Sequence, residues 1–74
     1  MDITVKLFAQ FRKGRFIEQK QECAPHTLVS TVVHELGIEE PEVGMIMLNS
    51  RHAELTSELK EGACLAIFPL VGGG

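Results

Sequence analysis

Hydrophobic and polar residues alternate most cleanly near the two ends of the chain. Over residues 3–8, Ile3, Val5 and Leu7 point one way and Thr4, Lys6 and Phe8 the other, the period-two pattern of a strand with one buried face. Phe8 breaks the pattern by standing with the polar set. Over 63–68 the alternation returns, with Leu65 and Ile67 inward and Cys64, Ala66 and Phe68 outward. Residues 16–23 alternate less well: Ile17 and Cys23 share a face with Gln19 and Gln21. Such a polar strand suits a sheet edge, where side chains discourage unwanted pairing. The loop over 9–15 carries Phe11, expected to fold back as a lid on the core, and Gly14, which lets the chain turn and makes the first two strands a hairpin. Pro25 ends the second strand.

The period then changes. Val29, Val32, Val33 and Leu36 recur at the i, i+3, i+4, i+7 spacing of one helix face. Thr27 is placed to cap the helix and Gly37 to stop it as the left-handed C′ residue. Ile38 packs just beyond the stop. Glu39-Glu40-Pro41-Glu42 reads as an acidic connector whose proline forbids further helix. Residues 43–48 form a third strand, with Ile46 and Leu48 inward and Met45 and Met47 outward. Asn49-Ser50 resembles a two-residue turn, leading to a short return strand over 51–53. Leu55 and Leu59 are core anchors in an irregular stretch, and Lys60-Glu61-Gly62 is a turn before the last strand. A hairpin, a helix and two or three further strands make an α+β layer. With the first and last strands parallel and central, this is the β-grasp, ubiquitin-like roll: a mixed sheet of four or five strands with one helix on one face. Residues 1–69 make this domain, and 70–74 a glycine-rich tail.

Composition narrows the function. The 74 residues carry a net charge of −3 and 45% hydrophobic residues, without Trp or Tyr. A chain this short buries only about 60% of its unfolded surface, so its core has to be regular. The acidic balance argues against a nucleic-acid binder, which carries a basic patch. Arg12, Lys13 and Arg15 form a small basic cluster that reads as a solvated loop, with contact to an acidic partner as the alternative. No apolar run approaches the ~20 residues that cross a bilayer and no leader segment is visible at Met1-Asp2, so a cytoplasmic protein without membrane partners is expected. Cys23 and Cys64 lack a CxxC spacing and read as small apolar strand residues. His26, His34 and His52 have no metal-ligand spacing, and no metal site is expected.

The remaining feature is the end, Pro69-Leu70-Val71-Gly72-Gly73-Gly74. A glycine run has nothing to pack and loses the most backbone entropy on ordering. Alone it reads as a frayed terminus. After a central strand it becomes a thin arm, able to thread a channel where any Cβ would clash.

The order of motifs adds a resemblance. Lys6-Leu7-Phe8-Ala9-Gln10-Phe11-Arg12 resembles the first strand and following loop of the small subunit of molybdopterin synthase. Thr27-Leu28-Val29 through Leu36-Gly37-Ile38 is similar to its helix, Leu48-Asn49 to its turn entry, and Leu59-Lys60-Glu61-Gly62 with Leu65-Ala66-Ile67-Phe68-Pro69 to its last turn and strand. Val71 and the closing glycines complete a match over nearly the whole chain. The chain also resembles the wider sulfur-carrier group, including the thiamine thiazole carrier. It departs from the molybdopterin branch in having Ser50 where Gly is frequent, Leu70 where a second proline is frequent, and three glycines where two suffice.

The resemblance implies that the terminal carboxyl of Gly74, reached past Gly73, is adenylated by a separate E1-like activating enzyme and converted to a thiocarboxylate, whose sulfur goes to a large synthase subunit or another sulfur-accepting enzyme. No phosphate-binding loop of the Walker type is present, so ATP belongs to that partner and no cofactor is bound by this chain. Phe8, Phe68, Pro69, Leu70, Val71 and Gly72 are the candidate partner contacts, on the sheet face away from the helix and along the arm, with Ala66, Cys64 and Met47 extending the patch. The chain is then a cosubstrate or small synthase subunit rather than an enzyme by itself. A thiazole sulfur carrier, a ubiquitin-like modifier joined to lysine amines and a β-grasp interaction module with an inert tail are the other readings.

Overall fold

The computed structural model describes residues 1–70. Among them five strands form one sheet: β1 (Asp2–Leu7), β2 (Glu18–Glu22), β3 (Val43–Leu48), β4 (Arg51–His52) and β5 (Cys64–Pro69), in the order β2-β1-β5-β3-β4. β1 and β5 are parallel at the centre and the other pairings are antiparallel. One helix, α1 (Val29–Glu35), covers one face. This is the β-grasp architecture.

Register explains the core. Val5 pairs with Leu65 and Leu65 with Leu48; Leu7 pairs with Ile67 and Ile67 with Ile46. Paired residues share a face, so these rows stand together under α1. Val5, Leu7, Leu65, Ile67, Val29, Val32 and Val33 are fully buried. An isolated helix shorter than about 12–15 residues is marginal in water, and α1 has seven. Each buried aliphatic side chain supplies about 1.5–3 kcal/mol, so the three valines of α1 outweigh their poor helix propensity. Packing holds this helix.

Its ends are satisfied differently. Thr27 does not cap it. Its hydroxyl donates to the Ala24 carbonyl at 2.7 Å, and the cap position falls on Leu28, which has no side-chain acceptor. The first free N–H groups go instead to a neighbouring segment: Val29 donates to the Ser57 carbonyl and Ser30 to that of Leu55, both at 2.9 Å. The irregular stretch 53–59 therefore does the capping, anchored by buried Leu59, whose N–H donates to the Thr27 carbonyl at 2.8 Å. At the other end, Gly37 (φ +75°) donates to His34 and Ile38 to Val33, the paired bonds of a Schellman stop. Arg15 adds to it, its Nε donating to the Leu36 carbonyl at 2.8 Å, where a cation is favoured by the helix dipole.

Other expectations shift. β1 ends at Leu7, leaving Phe8 as an extended residue before a 3₁₀ turn over Ala9–Arg12. The buried lid residue Phe11 lies in that turn. Ile17 falls on the core side of the register, two residues before Gln19 opposite Val5, but it precedes β2 at the sheet edge and stays 62% exposed. The acidic connector contains a 3₁₀ turn over Glu40–Glu42, with Pro41 in its opening residues, where the missing N–H costs nothing.

The β3–β4 turn carries strain. Asn49 (φ +51°) and Ser50 (φ +67°) are both left-handed, as a type I′ turn demands. Asn49 is pinned by Cys64, whose N–H donates to its Oδ1 at 2.8 Å. Ser50 has a Cβ in a region that costs L-residues about 1–2 kcal/mol. We predict that Ser50→Gly stabilises the fold by about 0.5–1 kcal/mol, the net of relieved strain and glycine's unfolded-state entropy; a lower urea midpoint in the variant contradicts this account.

Glu58 sits where the capping segment bridges Leu28. Its carboxyl is held below the usual carboxylate range, first by the His26 hydrogen bond at 3.0 Å and then by Lys60 at 3.1 Å. A carboxylate with a depressed folded-state pKa contributes stability above its unfolded pKa and loses it as pH falls through the folded value. The stability deficit of Glu58→Gln should therefore be full above the ordinary glutamate range and shrink as pH falls through the lowered folded-state value, vanishing below it. A constant offset across an acid titration of the unfolding midpoint would remove the linkage.

Candidate functional site

The site is built on the sheet face away from α1. The residues that alternate with the core rows form rows of their own: Lys6 with Ala66 and Met47, then Phe68 with Met45. Phe8 follows directly from β1, and Ala9 (φ +51°) turns the chain sharply. That turn lays the Phe8 ring on Phe68, with centroids 4.1 Å apart and planes 10° from parallel. Such a pair is worth about 0.5–1.5 kcal/mol beyond its burial. The Arg12 guanidinium carbon lies 5.3 Å from the Phe8 centroid, and its Nε donates to the Leu7 carbonyl at 2.7 Å. Both rings remain half-buried.

A shallow groove of about 360 Å³ runs beside the pair, lined by Phe8, Ala9, Gly44, Met45, Phe68, Pro69 and Leu70. Pro69 is buried at the end of β5, so it forms floor rather than rim. Leu70 is 60% exposed at the groove's end, and its N–H donates to the Glu42 carbonyl at 3.0 Å. The structure thus brings together Phe8, Phe68, Pro69 and Leu70. Val71, Gly72, Gly73 and Gly74 lie outside the described residues.

The basic cluster is not a free solvated loop. Arg12 and Arg15 are tied by their guanidinium groups to backbone carbonyls at Leu7, Phe11 and Leu36. Cys23 packs against the core, and burial followed by the Glu35 charge pushes its thiol up. The thiolate is the reactive form, so Cys23 is a poor sulfur nucleophile. His26 and His34 pair with Glu58 and Glu40. Among the described residues no group of three or more His, Cys, Asp or Glu could hold a metal ion.

Two contributors escaped the sequence reading. Arg12 reaches the aromatic pair only because the 3₁₀ turn returns it there. Gly44 lies inside β3, and a glycine within a strand pattern is the signal for a bulge or a close backbone approach. The β3–β5 register shifts at this point.

The sequence profile of the ThiS family matches residues 5–74. The chain belongs to the ThiS family. It is a ubiquitin-like sulfur carrier of that type. The search of curated proteins gave no match. Among solved structures, a Pyrococcus furiosus protein assigned as molybdopterin converting factor subunit 1 is 26% identical, with a TM-score of 0.75 over 96% of this chain and 99% of the other. Small archaeal modifier SAMP1 from Haloferax volcanii, 22% identical, superposes with a TM-score of 0.76 over the full length of both chains. So does one chain from the complex of molybdopterin-converting factor subunits 1 and 2 of Helicobacter pylori, at 22% identity and a TM-score of 0.67. The last two share the fold. Among the described residues of this ThiS-family chain, no helix is long and apolar enough to cross a membrane.

The half-buried aromatic pair stands on the far side of the sheet from the core rows. Phe68→Glu should leave the ThiS-family fold intact, at a cost of about 1 kcal/mol from the lost stack, against the about 2–5 kcal/mol of a buried leucine truncated to alanine. Loss of the cooperative thermal transition in Phe68→Glu would place the ring in the core instead.

Proposed function

We propose that this chain is a cytoplasmic sulfur carrier acting in molybdopterin synthesis, loaded and unloaded at the carboxyl of Gly74. The observation that carries the reading is the junction at Leu70: the chain leaves the central strand beside the apolar groove and continues into Val71 and three glycines. An apolar groove framed by a Phe–Phe pair suits protein contact, and the glycines suit a narrow channel. Family membership supports sulfur carriage. The 26% identity to the Pyrococcus furiosus protein favours the molybdopterin branch, and the Helicobacter pylori complex suggests a large synthase subunit as the acceptor.

The chemistry follows from the carboxylate. Ionised at neutral pH, it is a poor electrophile. An oxygen of Gly74 attacks the α-phosphorus of ATP in an E1-like activating enzyme and expels pyrophosphate. Sulfur at the hydrosulfide level then attacks the acyl carbon, expels AMP and loses its proton, leaving the thiocarboxylate. In this reading the base, the phosphate-binding loop and any metal for those steps belong to the partner enzyme. This chain supplies the acyl group, the reach and the address. ATP is bound by the partner.

Intact-mass spectrometry after incubation with the activating enzyme, ATP and a sulfur donor tests this. We expect a gain of about 16 Da, one oxygen replaced by sulfur. Gly73→Ala should cut loading by about tenfold or more through misplacement of the acyl carbon, at unchanged thermal stability. Phe68→Glu should weaken the complex while staying folded. Alkali-stable lysine conjugates without thiocarboxylate would make the protein a modifier, and no mass change at all would leave it an interaction module.

A further inference from the structure

A glycine inside a strand ordinarily weakens it, and Gly44 is flanked by strand on both sides. It has no positive φ, so backbone conformation is not why glycine stands there. Clearance is. A Cβ on Gly44 would lie 2.6 Å from the Pro69 carbonyl oxygen, 2.8 Å from its carbonyl carbon and 2.9 Å from the Leu70 Cα. All three are backbone atoms and cannot swing aside as a side-chain tip does. Optimal heavy-atom contact is about 3.5–4.0 Å, so a methyl group here drives the Pro69–Leu70 backbone out by roughly 1 Å. A second contact acts at the same place: the Leu70 N–H donates to the Glu42 carbonyl at 3.0 Å. Val43 pairs with Pro69 between them. Three consecutive residues thus grip the chain from one side where it leaves the sheet.

We propose that Gly44 is a positioning residue, whose missing side chain, with the Glu42 carbonyl, sets the point and direction at which the C-terminal arm departs and so where Gly74 arrives. The inference rests on the carrier reading above. Gly74 stands four positions beyond Leu70, a separation of at most about 14 Å for any chain path. The groove beside Phe8 and Phe68 fixes the body against its partner. Over so short a separation a shift at Leu70 is carried to the reacting carboxyl, and a 1 Å error at a reacting centre costs up to about a hundredfold in rate.

The test uses the full chain with its activating enzyme, reading adenylation as pyrophosphate release and the Leu70 amide by hydrogen exchange. Gly44→Ala should keep its cooperative unfolding transition and its stacked aromatic pair, while kcat falls at least about tenfold, beyond any rise in KM that follows from Gly44 lining the groove. Leu70 exchange should accelerate. A semisynthetic chain with an ester in place of the Leu70 amide removes the Glu42 bond without touching β3 and should show the same split; it decides the matter if Gly44→Ala does not fold. Parental kcat in either folded variant, or a loss confined to KM, overturns the proposal. If the parent protein itself is never adenylated, the carrier reading fails first and this one with it.

Discussion

The parallel pairing of β1 with β5 is the constraint on which the rest depends. Parallel neighbours cannot be joined by a tight turn and need a long crossover, which the helix and the three intervening strands supply. The pairing makes the N-terminal and C-terminal strands central. Their inward residues, Val5, Leu7, Leu65 and Ile67, become the best-buried side chains of the sheet. It also brings the ends of both strands to one side, so that Phe8 and Phe68 stack although 60 positions apart in the chain. One register therefore builds the core on one face and the groove on the other. A slip of one residue would exchange the two.

Much of this was legible because period-two and period-3.6 patterns report burial directly. Strand β3 falls on the residues read for it, and the α1 face is Val29, Val32 and Val33 as spaced. The misreadings share one physical cause: local rules lost to contacts distant in sequence. Thr27 has the right chemistry for a cap, yet the Ser57 and Leu55 carbonyls reach the free N–H groups first. Ile17 alternates correctly but lies at the edge of the sheet, where it stays exposed. Arg15 read as a solvated charge because nothing local showed that it closes the end of α1. At the site, Phe8 was visible as an anomaly, an aromatic ring among polar positions. Gly44 was not, because a close approach to Pro69 exists only after the sheet is assembled.

The same structure separates what must be rigid from what must reach. The core is closed by α1 and by the 53–59 segment, with no buried side-chain polar atom left unpartnered among the described residues. Stability is therefore set by the rows under α1 and by the segment that caps the helix, whereas the outward face, with Phe8 and Phe68, can change without emptying the core.

Preorganisation suits so small a groove to the docking role proposed for it. Docking normally costs about 0.5–1.5 kcal/mol for each flexible side chain that is immobilised. Here that ordering is done in advance. Phe8 is held by the turn at Ala9 and stacked on Phe68, and Arg12 is tied to the Leu7 carbonyl beside it. A partner meeting this face finds rings already in place and a cation already oriented. The unassigned freedom lies in Leu70, exposed at 60% yet tethered through its amide to Glu42. Its side chain is open to a partner while its backbone is fixed, which is the combination an arm needs at its root if docking and delivery are to be set by one contact surface.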